Sequence, residues 1–195
     1  MILKKECYND ERAIKKGNSL MLKKVIEEAF PTVLAFTMSG MYSIADGIFV
    51  GKAAGDTGLA AINIAWPIPA LITALGIGIG TGGSVLYSHY RGRGEQKVCE
   101  NLFELTMTLL IGTGILATIL LSLVQKPFLE ILGAAGSVQT EAIKYTAIII
   151  AGSILQVAGT GIMPLLRNMN QSLGAMLSMA AGFAVNILVN YYLMF

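Results

Sequence analysis

TGLAAINIAWPIPALITALGIGIGTGGSVLYSHY, residues 57–90, contains no Asp, Glu, Lys or Arg anywhere along its length. As a helix it would be about 50 Å long, more than the roughly 30 Å hydrocarbon core of a bilayer requires. The run therefore predicts a spanning helix that tilts or protrudes. Four further runs are long enough to cross: 30–51, interrupted by the single charge of Asp46, then 105–125, 145–166 and 168–195. All exceed the roughly 9–11 residues of a barrel strand, and none shows sustained alternation. Lipid leaves the helix as the remaining way to satisfy the backbone. The fold class is all-α, a polytopic transmembrane helix bundle with five visible spans.

Composition agrees. The chain is 54% hydrophobic and 13% charged, against about 25% charged residues in a soluble domain. Residues 1–28 hold a large share of those charges and read as a retained cytoplasmic arm. They do not read as a secretory signal, because the apolar stretch begins only near Ala29. Within the arm, Asn18 or Ser19 is expected to cap an amphipathic helix carrying Met21, Leu22, Val25 and Ile26.

Orientation follows from the basic residues. With a cytoplasmic N-terminus, the inner segments hold Lys4, Lys5, Arg12, Lys15, Lys16, Lys23, Lys24, Arg91, Arg93, Lys97 and Arg167. Of the 14 Lys and Arg residues, that leaves Lys52, Lys126 and Lys144 outside. This asymmetry predicts an integral plasma (inner) membrane protein with its N-terminus in the cytoplasm. Cys7 and Cys99 lack the spacing of a metal or redox motif and sit on the reducing side of that topology.

Asp46 is the first candidate for chemistry. A carboxylate within a span costs about 2.5–3.5 kcal/mol to insert, so it points to function unless it merely reaches the interface. Desolvation would raise its pKa and let it exchange a proton or hold a small cation. Asn186 and Asn190 lie four residues apart and share a helix face. Their carbonyl oxygens suit a hard cation, or ordinary interhelical hydrogen bonding. Spans one and five both run outward, so Asp46, Asn186 and Asn190 fall in the outer half. Tyr145, at the outer start of span four, joins them. Four polar groups at one level suggest a shared cavity.

Other features weigh less. Gly78, Gly80 and Gly83 match the dinucleotide fingerprint G-x-G-x-x-G, but without a preceding strand the signal is weak. Gly76, Gly80 and Gly83 read instead as small residues that let helices approach closely. Pro31 is expected to open span one, and Pro67 and Pro69 to bend span two. His89 has no catalytic partner in view. Arg91-Gly92-Arg93-Gly94 reads as a topogenic loop and not as a nucleic-acid site.

Together these pieces resemble the multidrug and toxic compound extrusion (MATE) family. The resemblance is carried by residues 44–51 (IADGIFVG), 59–63 (LAAIN), Pro67-Ile68, 80–84 (GTGGS), 91–95 (RGRGE), Arg167-Asn168 and 186–190 (NILVN), and covers about residues 20–195. It implies the N-terminal lobe of a two-lobed transporter. Residues 29–195 would form five of its six helices, truncated before helix six and the C-terminal lobe. It further implies antiport, in which entry of H⁺ or Na⁺ drives a cationic or amphipathic drug outward, with no cofactor beyond the coupling ion. Asp46 matches the family's ion-binding acid, Pro31 its helix-one bending proline, and Tyr145 and Asn186 its pocket positions. Asn190 departs from the pattern, since many relatives carry a second acid there. Any metal would be Na⁺ at Asp46. The partners implied are the lipid bilayer, a small organic cation or amphipathic drug, and the missing C-terminal lobe.

Two other readings compete. A lipid-linked oligosaccharide flippase of the same superfamily would be expected to line its cavity with cationic side chains, and the spans here hold almost none. A non-transporting membrane scaffold fits the short length. An enzyme would need an acid/base or metal constellation that this sequence does not display.

Overall fold

The computed structural model describes the backbone of residues 2–169 and 171–194. It describes the side chains of those residues except 2–21, 24, 28, 42, 43, 45, 46, 50, 53, 54, 190, 193 and 194. Six helices follow one another: α1 (Ile2–Ala65), α2 (Pro67–Gly92), α3 (Gln96–Ile131), α4 (Gly136–Ala151), α5 (Ser153–Asn168) and α6 (Ser172–Met194). There is no strand among the described residues, and the all-α expectation holds.

α1 is two helices joined across Gly55, whose φ of 61° and ψ of −160° interrupt the helical ladder. A residue without Cβ adopts that conformation at little steric cost. Up to this point the helix runs unbroken from Ile2, which corrects two expectations. Asn18 and Ser19 lie inside the helix and do not cap one, because a cap needs non-helical backbone at the capping residue. Pro31 does not open the first span either; it lies inside α1. There its ring removes an N–H, so the carbonyl of Glu27 loses its usual partner.

The second span is also divided. The helix turns at Trp66, and Pro67 starts α2 at its first helical position, where a missing N–H costs nothing. Trp66 itself keeps helical backbone, with φ of −50° and ψ of −35°, and Pro67 and Pro69 stand where the ladder of the span is interrupted. The third run, expected over 105–125, forms the centre of the longer α3. The fourth was expected as one run over 145–166. It begins instead at Gly136 and breaks at Gly152, where α4 and α5 meet at 59°. Its first turns were missed because they carry Glu141 and Lys144, which form an ion pair at 2.9 Å on the exposed face. α6 provides the fifth run, expected over 168–195, from Ser172.

Among the described residues, α2, α3 and α6 are each long and apolar enough to cross a membrane, and the bent pair α4–α5 makes a fourth crossing if taken as one span. Residues 30–51 are helical throughout within α1.

Packing is inside-out relative to a soluble protein. Large apolar side chains face outward, including Leu105, Leu123, Ile148 and Leu155. Buried positions recur every fourth residue and are often small: Gly76, Gly80 and Ser84 on α2, and Ser153 and Gly161 on α5. In lipid, apolar burial drives no association between helices, so close backbone approach and interhelical hydrogen bonds must do it. α2 packs against α5 and α3, α3 against α4 and α5, and α1 against α6 and α4.

Side-chain hydrogen bonds tie these seams. Gln125 on α3 donates through Nε2 to the Ile143 carbonyl at 2.7 Å and to Thr146 Oγ1 at 2.6 Å, both on α4. The Thr118 and Ser153 hydroxyls meet at 2.6 Å between α3 and α5. Gln125→Leu removes both donations and leaves the half-buried amide site empty of partners. It should lower stability by about 1 kcal/mol, read as a lower thermal midpoint in detergent, whereas the exposed Leu123→Ala should leave that midpoint nearly unchanged.

Candidate functional site

The expected polar level draws on three helices. Tyr145 lies on α4, half-buried and packed against the apolar core of the bundle. Asn186 lies on α6 and is half-buried. Tyr145 and Asn186 each engage another group within the fold. Asp46 belongs to α1 and Asn190 to α6, but their side chains lie outside the described residues. The two helices of α1, on either side of Gly55, together pack on α6 and on α4.

Register along the helices is also informative. Asp46 stands nine residues before the Gly55 break and Tyr145 nine residues after Gly136. Each is therefore about 13 Å from that end of its helix. Asn186 is 14 residues beyond Ser172, about 21 Å along α6. Pro31, 15 residues before Asp46, sits about 22 Å from it on the same helix.

A second polar level runs between α2 and α5, and reading the sequence did not single it out. Gln156 on α5 donates through Nε2 to Thr73 Oγ1 at 2.9 Å and to the Pro69 carbonyl at 3.5 Å. It thus clasps the first turns of α2 just past the Trp66 break. One uncharged Gln in an apolar run looks ordinary by composition. The signal available was its spacing, three residues after Ser153 and four before Thr160 on the face that meets α2. No buried side-chain nitrogen or oxygen among the described residues lacks a partner.

The glycine fingerprint resolves as packing. A Cβ on Gly80 would strike the backbone of Gly161, one on Gly76 the Thr160 hydroxyl and Val157 backbone, and one on Gly83 the Thr106 side chain. Gly78 and Gly82 face open space. The stretch is a helix contact, with no strand before it and no turn within it.

The end of the bundle that carries Arg91, Arg93 and Arg167 holds a cleft of about 560 Å³. It lies between the last turns of α2, the first turns of α3 and the α5–α6 connection. A smaller one, about 380 Å³, lies beside Trp66 and Thr73. Arg91 Nη1 donates to the Asn168 carbonyl at 3.5 Å, where a cation complements the carbonyls that end α5. Gly94, with φ of 76°, makes the turn that the basic loop needs. No group of three or more metal-ligating side chains occurs among the described residues.

The arrangement is a helix bundle packed through small residues and tied by neutral polar clasps. The model of the MatE family matches residues 31–192. The chain belongs to the MatE family. The match takes in all four expected site residues and Pro31, and makes this an integral membrane protein of a transporter family. Solved MatE-type structures agree with the fold. A MATE transporter in complex with MaD3S is 26% identical with a TM-score of 0.80, covering 85% of this chain and 37% of its own. A MATE transporter in the bent conformation is 26% identical with a TM-score of 0.78 over the same shares. A MOP superfamily transporter from Pyrococcus furiosus, described as having a binding pocket of reversed polarity, is 24% identical. Its TM-score is 0.76, with 85% of this chain and 36% of that chain covered, and that likeness concerns the fold alone. The chain thus spans little more than a third of the length of these transporters. No curated protein matches the chain.

Proposed function

We propose that this MatE chain serves cation-coupled secondary antiport, in which H⁺ or Na⁺ entering down its gradient drives an organic cation or amphipathic drug outward. Asp46 binds the coupling ion, with Tyr145, Asn186 and Asn190 lining the same pocket and Pro31 bending α1 as the acid changes state. The observation that carries this reading is the position of α1. Its two helices, which meet at Gly55 and of which the first bears Asp46, together pack against α6, which bears both Asn residues, and α4, which bears Tyr145.

The chemistry is consistent with that use. A carboxylate in a low-dielectric bundle is neutral when protonated or ion-bound and costly when bare. Its two states therefore favour different arrangements of the helices around it. The amides of Asn186 and Asn190 supply oxygen ligands without adding charge. With Asn190 in place of a second acid, the pocket would carry a single countercharge, which favours one monovalent ion for each cycle.

In this reading the N-terminus is cytoplasmic, the membrane is the plasma (inner) membrane, and the chain acts as one lobe working against a second. The transport cycle uses no organic cofactor. Substitution of Asp46 is the experiment that tests the proposal, through ion-driven efflux of a cationic dye.

A further inference from the structure

Arg167 is the one charged residue between Lys144 and Phe195, and by sequence it counts only as an inner, topogenic cation. The structure places it inside the last turn of α5, half-buried. Its guanidinium carbon stands 4.8 Å from the centre of the Phe36 ring on α1. Its Nη2 donates to the Met179 sulfur on α6 at 3.9 Å. One side chain thus joins three helices from separate parts of the chain. Among the described residues it forms no ion pair.

A topogenic charge needs no such setting. It acts through its sign and its side of the membrane, and its long stem usually carries the charge out to water. Here the guanidinium lies over a ring, where the π face attracts it. The two ends of the contact are held differently. α5 is fixed by close packing, since a Cβ on Gly161 would strike Leu110 of α3 and the Gly76 carbonyl of α2. Phe36 stands on α1 five residues after Pro31 and ten before Asp46, about 8 Å and 15 Å along the helix. Pro31 interrupts the hydrogen-bond ladder and makes the helix easiest to bend there. A bend at Pro31 therefore moves the Phe36 ring relative to a guanidinium anchored on α5.

We propose that Arg167 is a positioning residue for transport. Its stack on Phe36 holds the first helix of α1 against α5 and α6, and so favours one of the two arrangements between which the state of Asp46 chooses. The assignment rests on the antiport reading above and adds the contact that sets how readily α1 moves. A cation–π contact at an exposed ring is weak enough to break in every cycle, and it changes a two-state equilibrium only a few-fold.

Ion-driven efflux of a cationic dye tests it, in cells expressing the gene from its natural start to its natural stop with matched amounts of protein. The quantity read is the ion concentration at half-maximal rate. Phe36→Leu keeps the positive charge of Arg167 but removes the ring, and should shift that concentration by about threefold. Arg167→Gln should shift it in the same direction by a similar factor, and the double variant no further. Phe36→Tyr, which keeps the π face, should match the wild type. A shift with Arg167→Gln alone, additive shifts, or no shift with either would overturn the proposal. The contact is read separately in the purified chain, whose one tryptophan is Trp66. In the variant Trp66→Phe/Phe36→Trp, adding Arg167→Gln uncovers one face of the indole and should raise acrylamide quenching about twofold. Unchanged quenching rejects the stack, whatever efflux shows. Raised quenching with no ion-driven efflux from the wild type rejects the antiport reading, and the role in transport falls with it.

Discussion

Gly80→Ala should disrupt the bundle, whereas Gly78→Ala, two residues earlier in the same helix, should be tolerated. The first methyl group would land on the backbone of Gly161, with the carbonyl carbon and Cα each 2.7 Å away. No rotamer change relieves that overlap, because the opposing group is main chain. α2 and α5 would have to move apart, and the Gln156 bridge to Thr73 and Pro69 would be lost with the contact. The expected cost is about 3 kcal/mol, the upper end for overpacking, read as loss of the monodisperse species in detergent. A methyl on Gly78 meets nothing within 4 Å and should be neutral or stabilising by up to about 1 kcal/mol, as alanine is in a helix. Equal tolerance at both positions would mean that α2 and α5 do not pack as described.

That pair of variants also separates two meanings of one motif. A nucleotide-binding loop would use its glycines to turn and to approach phosphate. Here the alternation of Gly78 and Gly82 toward open space with Gly76 and Gly80 toward α5 is a helical periodicity. The distinction could be drawn in the sequence, because an uncharged run through residues 57–90 leaves no room for a strand, a turn and a soluble helix.

Other features were legible for equally physical reasons. Span length and charge distribution identified the bundle, since lipid permits few alternatives to the helix. Helix breaks were read less well. Pro67 and Pro69 were visible as an interruption, and the ladder is interrupted beside them at Trp66. The Gly152 break has no charged or proline residue to announce it. Glu141 and Lys144 hid the first turns of α4 because hydropathy counts charges without regard to their mutual pairing. Asn18 and Ser19 carried capping chemistry, yet a favourable residue does not end a helix whose neighbours on both sides are helical.

The polar residues divided in the same way. Asp46 stood out because a charge in a span is rare. Gln125 and Gln156 did not, because one neutral amide among apolar residues is common, and its importance lies in what faces it. Asn186 was legible from the helix face it shares with Asn190, and Tyr145 from its place at the outer start of its span. The fold adds that their two helices share α1 as a neighbour.

Asp46→Asn isolates the central claim with the smallest change in shape. The amide is nearly isosteric with the carboxyl group, and removing a charge from a span makes insertion no more costly. What it removes is the ability to ionise, and with it the exchange of a proton or the holding of Na⁺ at that position. Binding of cargo elsewhere in the bundle should survive. Coupling should not, because an ion gradient acts on a carrier only through a site that differs between its loaded and empty states. The decisive measurement is ion-gradient-driven efflux of a cationic dye from cells expressing the gene from its natural start to its natural stop. Amounts of wild-type and variant protein in the membrane are matched. The account predicts that Asp46→Asn reaches the membrane normally and that efflux falls to the level of cells lacking the gene. Efflux at the wild-type rate in the variant would contradict it.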